Sequence, residues 1–275
     1  MVLSDDQLRN LAARMCDVPG VVGVVLGGSR GRGKHLPDSD TDLGLYYRPP
    51  LDVAALRSLA RAVAGEGAQV TEPGEWGPWV DGGAWLRIAG AAVDWIYRDL
   101  DRVHAAWVDA RSGRYRFHAQ TGHPLGVPDF AYAGELALGV VLADPTVQLT
   151  RLQHATRQYP PALTDALVRG LWEATFILEV ARKAVTRRDT VYVAGCLFRA
   201  LGLCAHALHG HAGRWLVNEK GAIAAAARLP GAPADFAARA HGPLAQLGSS
   251  PEDLTAALDA TAELVEDTVA ACRAS

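Results

Sequence analysis

Apolar and polar positions follow two regimes along the chain. Leu3, Leu8, Leu11, Ala12 and Met15 recur at helical spacing within 1–17 and predict an amphipathic helix. Val21, Val22, Val24, Val25 and Leu26 form a short β-branched run, which predicts a buried strand ended by Gly27 and Gly28. The next apolar segment alternates with period two: Asp40, Asp42, Gly44 and Tyr46 share one face, and Thr41, Leu43, Leu45 and Tyr47 the other. It reads as a strand with a core face and an acid face. Residues 51–64 have helical composition closed by Gly65 and Gly67, 85–88 and 92–97 read as a strand pair around Gly90, and 103–110 as a helix. Residues 112–132 read as a long loop. Asp144-Pro145 and then Tyr159-Pro160-Pro161 mark the end of the strands. Beyond them Leu163, Leu167, Leu171, Ala174 and Leu178 keep helical spacing, as do Val193, Leu197, Leu201, Cys204 and Leu208, and a last amphipathic helix spans 251–271. The fold class is therefore α+β, with a sheet domain over 1–145 and a helical bundle over 146–275.

Composition narrows the picture. The chain has 275 residues, enough for two modest domains, and its 49% hydrophobic content supplies a core. A formal net charge of -3 gives no global attraction for nucleic acid. Asp5 and Asp6 stand where a signal peptide needs basic residues, and no apolar run reads as long enough to span a membrane, so a cytoplasmic protein with no membrane partner is expected. Cys16, Cys196, Cys204 and Cys272 have no zinc-ligand spacing and read as reduced, buried hydrophobes. His206, His209 and His211 cluster at a helix end without an acid or cysteine at ligand spacing, so they read as structural.

The stretch from 21 to 47 carries the chemistry. A glycine–serine turn can bring backbone N–H groups to an anion, with Arg30, Arg32 and Lys34 adding positive charge, and Asp40 and Asp42 on one strand face can hold a hard divalent cation such as Mg²⁺. Without a cation the two carboxylates raise each other's pKa. The spacing from Gly28 to Gly33-Lys34 also fits a P-loop. His35 replaces the hydroxyl residue that such a loop needs, however, and Pro37 would cut its helix short. Asp99 and Asp101 precede a helix and read as caps. Trp76 and Trp79, in a loop rich in glycine and proline, read as a lid over the sheet edge or as a wall on which a base or sugar stacks.

Gly28-Ser29, a short helix, and then Ser39-Asp40-Thr41-Asp42-Leu43 resemble the signature of the polymerase β nucleotidyltransferase superfamily, and the sheet domain followed by a helical domain resembles its antibiotic-modifying members. The resemblance implies a mixed sheet flanked by helices and two Mg²⁺ ions held by Asp40, Asp42 and a third acid, best supplied by Asp94. It also implies ATP held through Gly28, Ser29, Arg30 and Ser39, with Lys220 reaching the triphosphate from the helical domain. The implied activity is transfer of AMP from ATP to a hydroxyl of a small molecule such as an aminoglycoside or lincosamide, releasing pyrophosphate. A cleft lined by Glu135, Glu173 or Glu179 would suit a cationic acceptor. Protein or tRNA modification of the toxin–antitoxin type, or a non-catalytic nucleotide-binding role, are the alternatives.

Overall fold

The computed structural model describes residues 3–33 and 39–273. Lys34, His35 and Pro37 of the glycine-rich turn lie outside the described residues. The chain divides into two compact units, Met1–Asp109 with Arg116–Gln158, and Ala110–Tyr115 with Tyr159–Ser275. The division coincides with the second proline mark, and residues 146–158 belong to the first unit.

Up to residue 158 the elements are α1 (Asp5–Cys16), β1 (Val21–Leu26), α2 (Gly28–Gly31), β2 (Thr41–Tyr47), α3 (Val53–Ala64), β3 (Gly83–Ile88), β4 (Ala91–Asp99), α4 (Leu100–Arg111), β5 (Phe117–Gln120), β6 (His123–Pro128), α5 (Ala131–Leu138), β7 (Val140–Ala143) and α6 (Gln148–Thr156). Among the described residues the main sheet runs β3-β4-β2-β1-β7, and β5 pairs with β6 alone. All its pairings are antiparallel except β2 with β4, so the sheet is mixed. Ser4 begins α1 with a capping box completed by Gln7, and Asp52 caps α3 through the Ala55 amide. Asp99 caps α4 by accepting from the amides of Asp101 and Arg102, whereas Asp101 pairs with Arg48.

Period-two alternation puts Leu43, Leu45, Tyr47, Val93, Trp95 and Tyr97 on one face, packed against Leu8, Leu11 and Met15 of α1 and Leu56 and Ala60 of α3. The opposite face is buried at one end only. There Tyr46 packs with Val25, Leu100, Val103, Tyr132, Leu136 and Leu149. The acid face expected from the sequence is thus open near Asp42 and covered near Tyr46. Beneath that cover Arg98, its side chain 6% exposed, makes a bidentate pair with Glu135 of α5 at 2.6 and 2.9 Å.

Two expectations for this region change. Residues 112–132 are not a loop: β5 and β6 form a hairpin turned at Gly122, whose positive φ suits glycine. Pro124 and Pro128 hide its second strand in the sequence, and the alternation of its first spans only four residues. Residues 140–143, unassigned by pattern, add β7 beside β1.

The second unit holds α7 (Pro161–Arg169), α8 (Trp172–Val185), α9 (Thr190–His211), α10 (Ala222–Ala226), α11 (Phe236–Ala245) and α12 (Pro251–Arg273). The apolar series from Leu163 to Leu178 breaks at Gly170 into two helices. Contrary to expectation, α9 is long and apolar enough to cross a membrane, but 67% of its apolar window is buried within the protein. Burial lowers the pKa of His206 to about 3, so this histidine is neutral and not a cation at the helix end.

Arg98→Met should destabilise the protein by about 3 kcal/mol in urea unfolding, because it strands the half-covered Glu135 carboxylate. Replacing both partners, Arg98→Met with Glu135→Leu, should recover most of that loss. Equal losses for the single and double variants would contradict the pairing.

Candidate active site

The site is built on one register. β2 and β4 run parallel with Asp42 opposite Asp94, so the two side chains stand on the same sheet face. The hairpin that supplies β4 turns at Ala89-Gly90, both at positive φ, and this turn fixes Trp85 opposite Asp94. A single row across the sheet therefore reads Asp42, Asp94, Trp85.

The glycine turn lies against the start of β2. The Gly27 amide donates to the Asp42 carbonyl at 2.8 Å. Gly28 has φ +58, and a Cβ there would stand 1.7 Å from Asp42 Oδ2. The missing side chain of Gly28 is thus what leaves room for the Asp42 carboxylate. Arg30 donates from Nε and Nη2 to the Ser39 carbonyl at 3.2 and 2.7 Å, and from Nε to the Asp40 carbonyl at 3.2 Å, pinning the entry to β2. The helix begins inside the glycine turn and ends at Gly31, before the spacing a P-loop helix requires.

Burial is the main reason that Asp94 has its pKa raised to about 6, with Asp42 and then Asp40 adding repulsion. Asp42 is raised first by burial, then by Asp40 and Glu135, and is held down by Arg32 and Arg98. The three carboxylates expected from the sequence therefore feel one another. Among the described residues, though, no group of three His, Cys, Asp or Glu side chains is gathered as ligands around one point. Carboxylates without a counter-ion repel, and Asp40, exposed ahead of β2, adjoins the undescribed residues 34–38. The donor set is all oxygen, the set a hard divalent cation takes, and the Gly28 cradle fixes one member of it.

Other expected residues fall as follows. Ser29 lies in α2 and Ser39 just ahead of β2. Lys220 belongs to the second unit, where it is exposed and its amide donates to Asn218 Oδ1 at 3.0 Å. The three glutamates expected to serve a cationic acceptor already have arginine partners: Glu135 pairs with Arg98, Glu173 with Arg199 at 2.5 Å, and Glu179 with Arg182 at 3.1 Å. Trp76 stacks on Trp85 of the edge strand with ring centroids 4.3 Å apart, which is the lid arrangement. Trp79 is not an open wall, since His118 stacks on it at 3.9 Å and the Arg102 guanidinium lies 5.1 Å from its ring. Sequence reasoning missed Arg98 and Trp85. Alternation from Asp94 puts Arg98 on the acid face, and the short turn at Gly90 sets Trp85 opposite Asp94, so both signals were present.

Residues 8–73 match the family model described as nucleotidyltransferase domain, a span that includes Gly28, Ser29, Asp40 and Asp42 but stops short of Asp94. That match supports the superfamily resemblance and a general nucleotidyl-transfer function, and the mixed sheet is consistent with the nucleotidyltransferase fold. A solved structure of a nucleotidyltransferase-like protein from Exiguobacterium sibiricum 255-15 is similar over 95% of this chain and 74% of its own, with 13% identity. The TM-score of that similarity is 0.47. No curated protein matches the chain.

In the cation-free protein a carboxylate-resolved NMR titration should find Asp94 changing state near pH 6, and Asp42→Asn should lower that midpoint by removing a repelling charge. The folded pKa exceeds the unfolded one, so ionising Asp94 lowers stability as pH rises from about 4 to 6. Asp94→Asn should accordingly stabilise the cation-free protein at pH 7 by about 1 kcal/mol, discounted for the solvent beside the carboxylate, with no gain near pH 4. A destabilising Asp94→Asn would contradict the repulsion described.

Proposed function

We propose that the protein is a metal-dependent nucleotidyltransferase that moves AMP from ATP to a hydroxyl of a small-molecule acceptor and releases pyrophosphate. The observation that carries the reading is the Asp42–Asp94 register beside a glycine turn whose one open Cα position accommodates the Asp42 carboxylate. The match over residues 8–73 supports it independently.

On this reading Asp42, Asp94 and Asp40 would hold Mg²⁺, which when bound supplies neutralisation of the charge on the transferring phosphate and the leaving pyrophosphate. Gly28 and Ser29 present the turn to the triphosphate. Arg32, exposed beside Asp42, adds positive charge on that side. Arg30 keeps the Asp40 backbone in place, so its part is to position the acid rather than to clasp the nucleotide. Asp94 is suited to take the proton from the acceptor hydroxyl, because its carboxylate has been made more basic by burial and by its neighbours. Lys220 keeps the part that the superfamily resemblance gives it, as a positive charge for the triphosphate. The buried Arg98–Glu135 pair fixes α5 behind β4 and offsets part of the repulsion at Asp42.

The test is incubation with α-labelled NTPs, Mg²⁺ and a panel of aminoglycosides, a lincosamide and tRNA, following label and pyrophosphate. The wild-type protein should transfer label from ATP in a Mg²⁺-dependent reaction, and Asp42→Asn should lower turnover by at least about a hundredfold. Full turnover in Asp42→Asn would sink the mechanism. Label appearing only in tRNA would move the acceptor to the alternative class.

A further inference from the structure

The row Asp42, Asp94, Trp85 has a third member that the acids do not explain. Trp85 is 71% exposed on the edge strand β3, although Ala84 and Leu86 on either side of it are buried in the core. The neighbours face the sheet's packed side, and Trp85 faces the side of Asp94. An indole left in water forgoes the stabilisation that its large apolar surface would gain on burial. The strand alternates, with Trp85 and Arg87 exposed on the face of Asp94, and of the two the apolar one stands opposite the candidate acid.

The indole is also held still. Trp76 from the loop before β3 stacks on it with an interplanar angle of 12°. That loop is in turn anchored by Gln120, which donates from Nε2 to the Trp76 carbonyl at 2.7 Å and accepts at Oε1 from the Trp79 and Val80 amides at 2.9 and 3.0 Å. One indole face is thus backed by a second ring, and a residue that stays 71% exposed with one face covered offers its other face to solvent. The result is a flat, pre-set aromatic surface one strand beyond Asp94, about 5 Å further across the sheet.

Resting on the nucleotidyltransferase reading, we propose that Trp85, backed by Trp76, is the specificity-determining wall for the acceptor. It receives the ring of a hydroxyl-bearing cyclic acceptor face-on and delivers the hydroxyl over Asp94. The order along the row supplies the reason for choosing the acceptor over the nucleotide. The glycine turn lies on the far side of Asp42, so the triphosphate belongs at that end and the opposite end, past Asp94, is left for the second substrate. A planar or C–H-lined ring matches the indole face, and Asp94 lies where a hydroxyl on that ring would need its proton removed. Attack of the acceptor oxygen on the α-phosphorus forms the new P–O bond as the bond to pyrophosphate breaks, and the hydroxyl proton passes to a carboxylate.

The experiment pairs kinetics with a direct probe. Trp85→Ala, Trp85→Phe and Trp76→Ala are assayed for transfer to the aminoglycoside and lincosamide panel and for acceptor-independent pyrophosphate release. In parallel, 5-fluorotryptophan-labelled protein is titrated with each panel member and with Mg²⁺ and a non-hydrolysable ATP analogue, the Trp85 resonance being assigned by its loss in Trp85→Phe. The expected result is an acceptor KM raised about tenfold in Trp85→Ala, largely restored in Trp85→Phe, with the ATP KM and basal pyrophosphate release unchanged. The Trp85 resonance should move with an acceptor and stay fixed with the nucleotide. An unchanged acceptor KM in a transferring enzyme would overturn the assignment while leaving nucleotidyl transfer intact. A rise in ATP KM, or a resonance moved by the nucleotide alone, would make Trp85 a base platform and also overturn it. A wild-type dimer dissolved by Trp85→Ala would show that a second copy covers the indole, and the acceptor wall would fall with it. Absence of nucleotide binding and of pyrophosphate release in the wild-type protein would instead defeat the underlying reading.

Discussion

The parallel pairing of β2 with β4 is the constraint on which the first unit depends. It puts Asp42 and Asp94 side by side on a partly buried sheet face, where burial raises both pKa values and the charge of Asp42 raises that of Asp94 further, an arrangement that a fold would not adopt for stability. The repulsion is tolerated because the same strands bury Leu43, Leu45, Val93, Trp95 and Tyr97 on their other face, where α1 and α3 close over them. Each large apolar side chain so buried is worth about 1.5–3 kcal/mol, and together they outweigh the strain from two neighbouring carboxylates several times over. A destabilising acid pair held in place by a strong core marks a functional site more readily than a structural one.

The rest of the unit can be understood as support for that pair. Gly27 and Gly28 bring the turn against Asp42, and Gly28 can do so only without a side chain. Arg30 ties down the backbone at Asp40. Behind the acids, the same sheet face closes over Tyr46, and buried Arg98 with the half-covered Glu135 adds a pair of no net charge that keeps α5 in place. In front of them the face stays open, with Trp85 at its rim. The sheet face is therefore covered around Tyr46 and open around Asp42 and Asp94.

Much of this was legible in the chain because its signals are local. The β-branched run at Val21–Leu26, the alternation through Thr41–Tyr47 and the helical spacing in α1 and α3 all specify elements without help from distant residues. Asp94 could be singled out as the candidate for the third acid that the resemblance implies because it sits in an apolar strand-like stretch, although its pairing with Asp42 is long-range and becomes visible only in the fold. The hairpin of β5 and β6 was missed because Pro124 and Pro128 interrupt its second strand and the alternation of Phe117 with His118 and of Ala119 with Gln120 spans only four residues. The arginine partners of Glu135 and Glu173 lie on other elements and could not be read from the chain, whereas Glu179 and Arg182 are three residues apart on α8. The contacts of Trp79 with His118 and Arg102 could not be read from the chain, because both neighbours are distant in sequence.

The most direct test of the central claim is a crystal structure grown with Mn²⁺ and a non-hydrolysable ATP analogue, read by the anomalous signal of the metal. The account predicts a peak within ligand distance of both Asp42 and Asp94, with the triphosphate lying along the Gly28–Ser29 turn. A metal peak elsewhere, or a nucleotide bound away from that turn, would contradict it.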